Sequence, residues 1–189
     1  MEWRKHYNLA GQHALMSPSQ SAWLNDDEEK FIERVNRAEA ARKGTEIHAI
    51  AASLIKNDIA LPQTTQTLNM YVNDGIGFRM RPEQALYYSP NCFGTADTIS
   101  FNESQQLLRI HDLKTGSTPV KMTQLEIYAA LFCLEYGYKP GFISMELRIY
   151  QNDDIQIANP TAADIAPIID EIVSKDRLIT QYFGGNLWN

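Results

Sequence analysis

Two short segments decide the fold: Gly94-Thr95-Ala96-Asp97-Thr98-Ile99-Ser100-Phe101 and Leu107-Leu108-Arg109-Ile110-His111-Asp112-Leu113-Lys114. Both segments are rich in apolar and β-branched residues and predict strands, and the polar run over 102–106 predicts a hairpin connection between them. Asp97 lies early in the first strand and Asp112 late in the second. A hairpin therefore brings both carboxylates to the same edge of the sheet. Lys114 follows Asp112 by two residues, so these two side chains share one face of the strand.

Helices are predicted before this hairpin. Residues 27–42 predict a surface helix, and Thr45 is expected to cap a second helix whose apolar residues recur at helical spacing. Residues 67–73 are compatible with a helix, and Asn73-Asp74-Gly75 is typical of a turn. A strand is predicted over 85–89.

Alternating helices and strands are predicted after the hairpin. Thr123 and Glu126 form a capping-box pattern that predicts a helix ending at Gly137. Residues 142–150 predict a strand, and 164–182 predict a last helix. The whole order predicts an α/β fold with a central mixed β-sheet flanked by helices.

Composition limits the class of protein. We predict a single domain over 1–189, with a core at about 40–150, an N-terminal helical segment over 1–43 and the C-terminal helix over 164–182. No apolar run approaches the roughly 20 residues that cross a bilayer, so no membrane partner is expected. The first residues lack the apolar segment of a signal peptide, which indicates a cytoplasmic protein. The net charge of −6 argues against non-specific coating of nucleic acid.

Two carboxylates beside a lysine are suited to holding a divalent metal against a phosphodiester. Mg²⁺ prefers hard oxygen ligands, and Asp97, Asp112 and the backbone carbonyl of Leu113 supply them. Lys114 is suited to positioning the attacking water and stabilising charge. An Asp-x-Lys tripeptide alone is common, so its context carries the hypothesis.

With that context the chain resembles the PD-(D/E)XK nuclease superfamily, within it the RecB-like branch that includes lambda-type exonucleases. The resemblance covers about residues 40–150 and implies a restriction-endonuclease-like core. Four patches carry it: Gly44, Thr45 and His48; Asp97; Asp112 and Lys114; and Gln124 with Tyr128.

The resemblance also implies roles for these residues. It implies that His48 is a further metal ligand, and it makes Glu83 a candidate ligand. Gln124 and Tyr128 lie four apart on one helix face, and the resemblance implies that they position the substrate or Lys114.

The expected function is therefore a Mg²⁺- or Mn²⁺-dependent deoxyribonuclease, an exonuclease of phage or bacterial recombination, replication or repair. Its partner is DNA, with a recombination or single-strand-binding protein as a further candidate. Two alternatives stay open: a non-catalytic nucleic-acid-binding or scaffold domain on the same fold, and a structure- or site-specific endonuclease.

Overall fold

The structure is a computed structural model and describes residues 14–183. The chain divides into two compact units, Met1–Thr45 and Glu46–Asn189. The single domain expected from the sequence stays a prediction. Of the predicted N-terminal helical segment, residues 1–13 lie outside the described residues.

The first unit contains a 3₁₀ helix, Pro18–Asn25, and the beginning of helix α1, Glu28–Lys56. Asp27 starts α1, because its Oδ1 accepts the Lys30 amide at 2.9 Å in the manner of an N-terminal cap. The Asp26 carboxylate accepts a hydrogen bond from the Arg34 guanidinium at 2.7 Å.

The prediction of two helices, one ending near residue 42 and one capped by Thr45, is wrong. Residues 28–56 form the one helix α1. Thr45 is not a cap, because its hydroxyl donates to the Ala41 carbonyl at 3.1 Å, one turn back in the same helix. Gly44 costs only about 1 kcal/mol of helix propensity, which is too little to break a helix of good helix formers.

The second unit holds a five-stranded mixed sheet. Its strands are β1 Arg81–Ser89, β2 Cys92–Asn102, β3 Leu107–Leu113, β4 Ser144–Gln151 and β5 Asp154–Ala158, in the spatial order β1-β2-β3-β4-β5. The β3–β4 pair is parallel and the others are antiparallel. The predicted α/β class with a mixed sheet is confirmed. The sequence interpretation missed β5, which Asn152 and Asp153 join to β4 with φ of 53° and 59°, as in a two-residue type I′ hairpin.

Helix α2, Thr67–Gly77, contains the Asn-Asp-Gly sequence that was predicted to be a turn. Long-range contacts explain the difference. The Asn73 amide bonds both the N–H and the carbonyl of Leu61, and a Cβ on Gly75 would lie only 2.7 Å from the Ile55 side chain. Tertiary contacts thus outweigh the local turn preference.

The end of α2 is a Schellman motif with an unusual residue in it. The Met80 amide donates to the Gly75 carbonyl, the Arg79 amide donates to the Ile76 carbonyl, and Arg79 has φ of 52°. Glycine is the common residue at this left-handed position, since a Cβ there is strained.

Helices α3, Thr123–Tyr136, and α4, Ala162–Phe183, complete the unit. The predicted bounds of α3 are confirmed, and Gly137 ends it with φ of 73°. The predicted capping box is wrong, because no side chain caps α3 at its first turn. Helix α4 begins two residues earlier than predicted, so Pro167 lies inside it; the Asp164 carboxylate accepts from the Thr161 amide and hydroxyl at its start, both at 2.8 Å.

Two apolar clusters join the sheet to the helices of this unit. The larger joins β1–β4 to α3 and α4, and includes Leu86, Ile110, Leu125, Leu147 and Ile165. The smaller includes Ala51, Ile55, Tyr71, Val72, Leu113 and Tyr150. Cys133 is buried and Cys92 partly buried as free thiols. None of the helices within residues 14–183 is long and apolar enough to span a membrane.

Candidate active site

The backbone pairing of β2 with β3 stops next to the two predicted catalytic aspartates. Backbone pairing runs from Asn102 opposite Leu107 to Thr98 opposite His111. Just past that point, Asp97 Oδ2 accepts the Leu113 amide at 3.0 Å. A side chain thus takes up a backbone donor at the edge where both carboxylates lie.

Asp112 is almost completely buried, with 3% of its surface exposed. Lys114 Nζ lies 2.9 Å from each carboxylate oxygen, yet only Oδ1 receives a hydrogen bond. Among the described residues Oδ2 has no hydrogen-bond partner. Burial raises the pKa of Asp112 to about 6, while the hydrogen bond from Lys114 acts in the opposite direction. The site thus holds a poorly solvated carboxylate with one oxygen still able to accept a ligand.

His48 lies on the part of α1 that belongs to the second unit. Its Nδ1 is 3.3 Å from Asp97 Oδ2. That contact raises the pKa of the imidazole, and burial opposes the effect. The structure therefore brings His48 to Asp97, as the predicted metal-ligating role requires.

Glu83 stands opposite Asp97 in the β1–β2 register, between the pairs Pro82–Thr98 and Gln84–Ala96. Its φ of 51° is strained for a residue that has a Cβ. Burial raises its pKa, and the charge of Asp97 adds to the effect. Such strain concentrates at functional sites, which supports Glu83 as a member of this site.

Helix α3 supplies the last two predicted residues. Gln124 Oε1 accepts from Lys114 Nζ at 3.1 Å, so the lysine is held between Asp112 and Gln124. Tyr128 donates its hydroxyl to the Thr95 carbonyl at 2.6 Å. The Tyr128 ring packs closely over Gly94, where a Cβ would lie 3.0 Å from ring atom Cε1.

We call the group of His48, Glu83, Asp97, Asp112 and Lys114 the acidic cluster. Sequence reasoning missed one residue beside it, Tyr71 of α2, which is 2% exposed. Burial raises the pKa of the Tyr71 phenol, and the charges of Asp97 and Asp112 act in the same direction. No spacing in the sequence singles out Tyr71, because it reads as an ordinary apolar position of a helix.

The acidic cluster has the donor chemistry for Mg²⁺ or Mn²⁺. Its carboxylates are hard oxygen ligands, and Oδ2 of Asp112 is a buried acceptor that receives no hydrogen bond from the described residues and that a cation would satisfy. Within residues 14–183, however, no group of three or more His, Cys, Asp or Glu side chains is arranged as a metal site. Lys114 and His48 neutralise the carboxylates instead, so a metal would have to displace those contacts. The ligand role of the Leu113 carbonyl stays a prediction.

Comparison with known proteins adds nothing to this geometry: no protein-family model matches the chain, and a search of curated proteins finds no match either. Gly44 and Thr45, which belong to the resemblance, lie in the first compact unit.

Proposed function

We propose that this protein is a metal-dependent deoxyribonuclease with a restriction-endonuclease-like core. The observation that carries the proposal is the meeting of Asp97, Asp112 and Lys114 where β2 and β3 separate, with a buried Asp112 carboxylate whose Oδ2 accepts no hydrogen bond from the described residues. An Asp-x-Lys sequence at the end of a central strand, opposite a second aspartate, supplies the groups that metal-dependent phosphodiester hydrolysis needs: carboxylates for a cation and an ammonium for the developing charge.

Asp97 and Asp112 would hold a divalent cation, assisted by His48, the Leu113 carbonyl and Glu83. When bound, the cation supplies Lewis-acid polarisation of the phosphate and a more acidic water. Lys114 would turn its ammonium towards the phosphate and stabilise the charge that develops in the transition state.

The α3 residues would fix this arrangement. Gln124 accepts a hydrogen bond from the amine of Lys114 at 3.1 Å, so it would keep hold of the lysine if Asp112 bound a cation instead. Tyr128 ties α3 to the β2 backbone at Thr95, two residues before Asp97. The helix therefore positions both the lysine and the strand that carries the aspartate.

We propose exonuclease action in recombination, replication or repair, because the resemblance is to the RecB-like and lambda-type enzymes. A recombination or single-strand-binding protein would then deliver the DNA. On this proposal the protein acts in the cytoplasm of a bacterial or phage-infected host cell.

Degradation of labelled DNA tests it. End-labelled linear DNA and closed circular DNA are incubated with Mg²⁺, Mn²⁺ or EDTA, using the wild type, Asp112→Asn and Lys114→Ala. We expect metal-dependent loss of the linear DNA by the wild type alone. Cutting of the circle would make the protein an endonuclease, while failure to cut either DNA with both metals would contradict the proposal.

Metal binding is tested without activity. Mg²⁺ or Mn²⁺ should raise the melting temperature of the wild type, because a ligand that binds only the folded state stabilises it. The same addition should leave Asp112→Asn unchanged, and Glu171→Gln on exposed α4 serves as the matched control that keeps the wild-type shift.

The second candidate is a non-catalytic nucleic-acid-binding domain. It is favoured by the internal pairing of the carboxylates, since the described residues hold no ready three-ligand metal group. It would take the lead if the wild type binds DNA, cuts none of it and gains no stability from either metal.

A further inference from the structure

A groove of about 440 Å³ lies on β1 and β2 beyond the acidic cluster. Its lining includes Arg79, Arg81, Ser100, Phe101, Tyr136 and Tyr138. Ser100 is three residues past Asp97 in β2, which is about 10 Å along a strand. The groove thus shares strands β1 and β2 with the acidic cluster, while its lining residues are different ones.

Two guanidinium groups at the groove have no acidic partner in the described part of the chain. Arg79 and Arg81 are exposed, and neither forms an ion pair within residues 14–183. Arg81 Nη1 donates to Gln84 Oε1 at 3.1 Å, which leaves most of its N–H groups available. The Glu103 side chain also lines the groove. Two positive charges against one negative charge favour an anion, and a planar guanidinium suits a phosphate.

Arg79 is kept at a strained position. It occupies the left-handed residue of the Schellman motif, with φ of 52°, where glycine is favoured. A residue that destabilises the fold locally is a candidate for a role in binding.

Aromatic rings form the other side of the groove. Phe132 is buried and packs against Phe101, Tyr136 and Tyr138, with ring centroids 5.0, 4.9 and 5.5 Å away. Tyr136 is the outermost of these rings, with 52% of its surface exposed. The Tyr136 ring is tilted by 37° against Phe132, so it is packed on one side and exposed on the other. An exposed aromatic ring is a surface on which an unpaired base can stack.

We propose that this groove binds one nucleotide of single-stranded DNA, with its phosphate on Arg79 and Arg81 and its base on Tyr136. Single-stranded DNA fits better than a duplex, because the bases of a duplex are already stacked on one another and offer no free face. The inference rests on the proposed function, and it names the strand-binding residues that this function would use.

Fluorescence anisotropy of labelled oligothymidine in EDTA measures binding without cleavage. We expect Arg79→Gly and Arg81→Gln each to weaken binding several-fold, and Tyr136→Ala about tenfold, within the range of a lost base stack. Each arginine variant should also lower the slope of log K against log salt by about 0.7. Arg177→Ala and Tyr182→Ala, exposed residues of α4, should bind like the wild type.

Two variants separate binding from folding. Arg79→Gly relieves the strained φ, so its melting temperature should rise by about 2–4 °C while its affinity falls. Glu103→Gln removes the one carboxylate and should tighten binding. Loss of affinity with a gain in stability cannot arise from a damaged fold.

Three results would contradict the proposal that the groove binds single-stranded DNA. These are a wild type that binds no oligothymidine, arginine and Tyr136 variants that bind as tightly as the Arg177→Ala control, or a blunt duplex that binds as tightly as the single strand. Metal-dependent cleavage by the wild type would still stand in each case, so failure of the groove and failure of the nuclease are distinguishable.

Discussion

Neighbouring residues of β3 lead into two different polar clusters. Asp112 belongs to the acidic cluster, and His111 belongs to a second group, which we call the tyrosine network: Asp74, Arg109, His111, Glu146, Arg148 and Tyr150. Both residues are buried, and each has one side-chain atom without a hydrogen-bond partner among the described residues, Oδ2 of Asp112 and Nε2 of His111. Burial of a titratable group therefore does not distinguish the two clusters.

Pairing distinguishes them. In the tyrosine network Tyr150 donates to Asp74 at 2.6 Å, and Arg148 bonds Asp74 at 2.8 Å and Glu146 at 3.1 Å. Arg109 bonds the same Glu146 oxygen at 3.0 Å. Two carboxylates thus meet two guanidiniums, and the charges balance.

The acidic cluster has no such balance. It holds three carboxylates, those of Glu83, Asp97 and Asp112, against the ammonium of Lys114 and the imidazole of His48. Glu83 also has a strained φ of 51°. The tyrosine network thus pairs each carboxylate with a guanidinium, whereas the acidic cluster holds more carboxylates than cationic side chains. Perturbed pKa values concentrate at functional sites, so this difference favours the acidic cluster as the functional one. Tyr71 lies between the two, with its ring 5.4 Å from that of Tyr150 and its phenol under the influence of Asp97.

The largest effect should come from Lys114→Ala. If the acidic cluster is catalytic, loss of the ammonium should lower the rate of DNA cleavage by about 10²–10³-fold, as when one preorganised donor to a transition state is removed. Initial rates on end-labelled DNA at saturating Mg²⁺ measure it. Lys175→Ala on α4 is the control, and an unchanged rate in Lys114→Ala would remove the lysine from the proposed mechanism.

The tyrosine network should show the reverse behaviour. Tyr150→Phe deletes the hydroxyl that bonds Asp74 and His111, so the free energy of unfolding should fall by about 1–3 kcal/mol. The rate of DNA cleavage should remain within a few-fold of wild type. Urea unfolding measures the change in stability, and the cleavage assay measures the change in rate. A large loss of cleavage rate in a stable variant would mean that the tyrosine network serves catalysis.

The hairpin that carries the aspartates could be predicted because its information is local. Residues 107–113 form β3 as predicted, since four of the seven residues are Leu or Ile and a polar turn segment precedes them. The nearness of Asp97 to Asp112 then follows from an antiparallel pairing and needs no knowledge of the rest of the chain.

Features set by distant contacts could not be predicted in the same way. Asp74 and Gly75 read as a turn, but in the fold they are helical and pack against distant residues: Asp74 accepts a hydrogen bond from Arg148, and Gly75 lies against Ile55. Tyr71 enters the site because α2 packs on the sheet, and its own sequence neighbours do not show this. The hydrogen bond from Lys114 to Gln124 also depends on how α3 packs, whereas its contact with Asp112 is local to the strand.

The pH dependence of stability should differ between the clusters. Burial lowers the pKa of His111 to about 3, whereas the unfolded value is near 6.5. Between these values the unfolded chain binds a proton that the folded chain does not, so stability is lost as the pH falls below 6.5, by at most about 1.4 kcal/mol per pH unit. His111→Phe should remove this loss, so its free energy of unfolding should fall less between pH 7 and pH 5 than that of the wild type. Urea unfolding in EDTA at the two pH values measures the difference.

Asp112 should act with the opposite sign. Its pKa of about 6 in the fold exceeds the unfolded value, so its contribution to stability is present at low pH and is lost as the pH rises towards 6. Asp112→Asn should therefore gain stability relative to the wild type over that rise. Equal pH profiles for His111→Phe, Asp112→Asn and wild type would show that neither buried group titrates with a shifted pKa.

The smallest effect tests how closely α3 must approach β2. In Gly94→Ala the new Cβ would lie 3.0 Å from Tyr128 Cε1, so the ring must move by a few tenths of an ångström and strain its bond to the Thr95 carbonyl. Because small displacements at a site have measurable cost, cleavage should slow by about two- to fivefold. Gly77→Ala, whose Cβ meets nothing within 4 Å, is the control.

A double-mutant cycle decides whether this effect passes through the tyrosine. If Gly94→Ala acts by moving Tyr128, it should cost little further rate in a Tyr128→Ala background, where no ring remains to be displaced. Additive losses would mean that the substitution acts through the β2 backbone next to Asp97 instead. That outcome would mean that the cleavage rate depends on the position of the β2 backbone at the acidic cluster. Tyr128 would then serve only to pack α3 on the sheet.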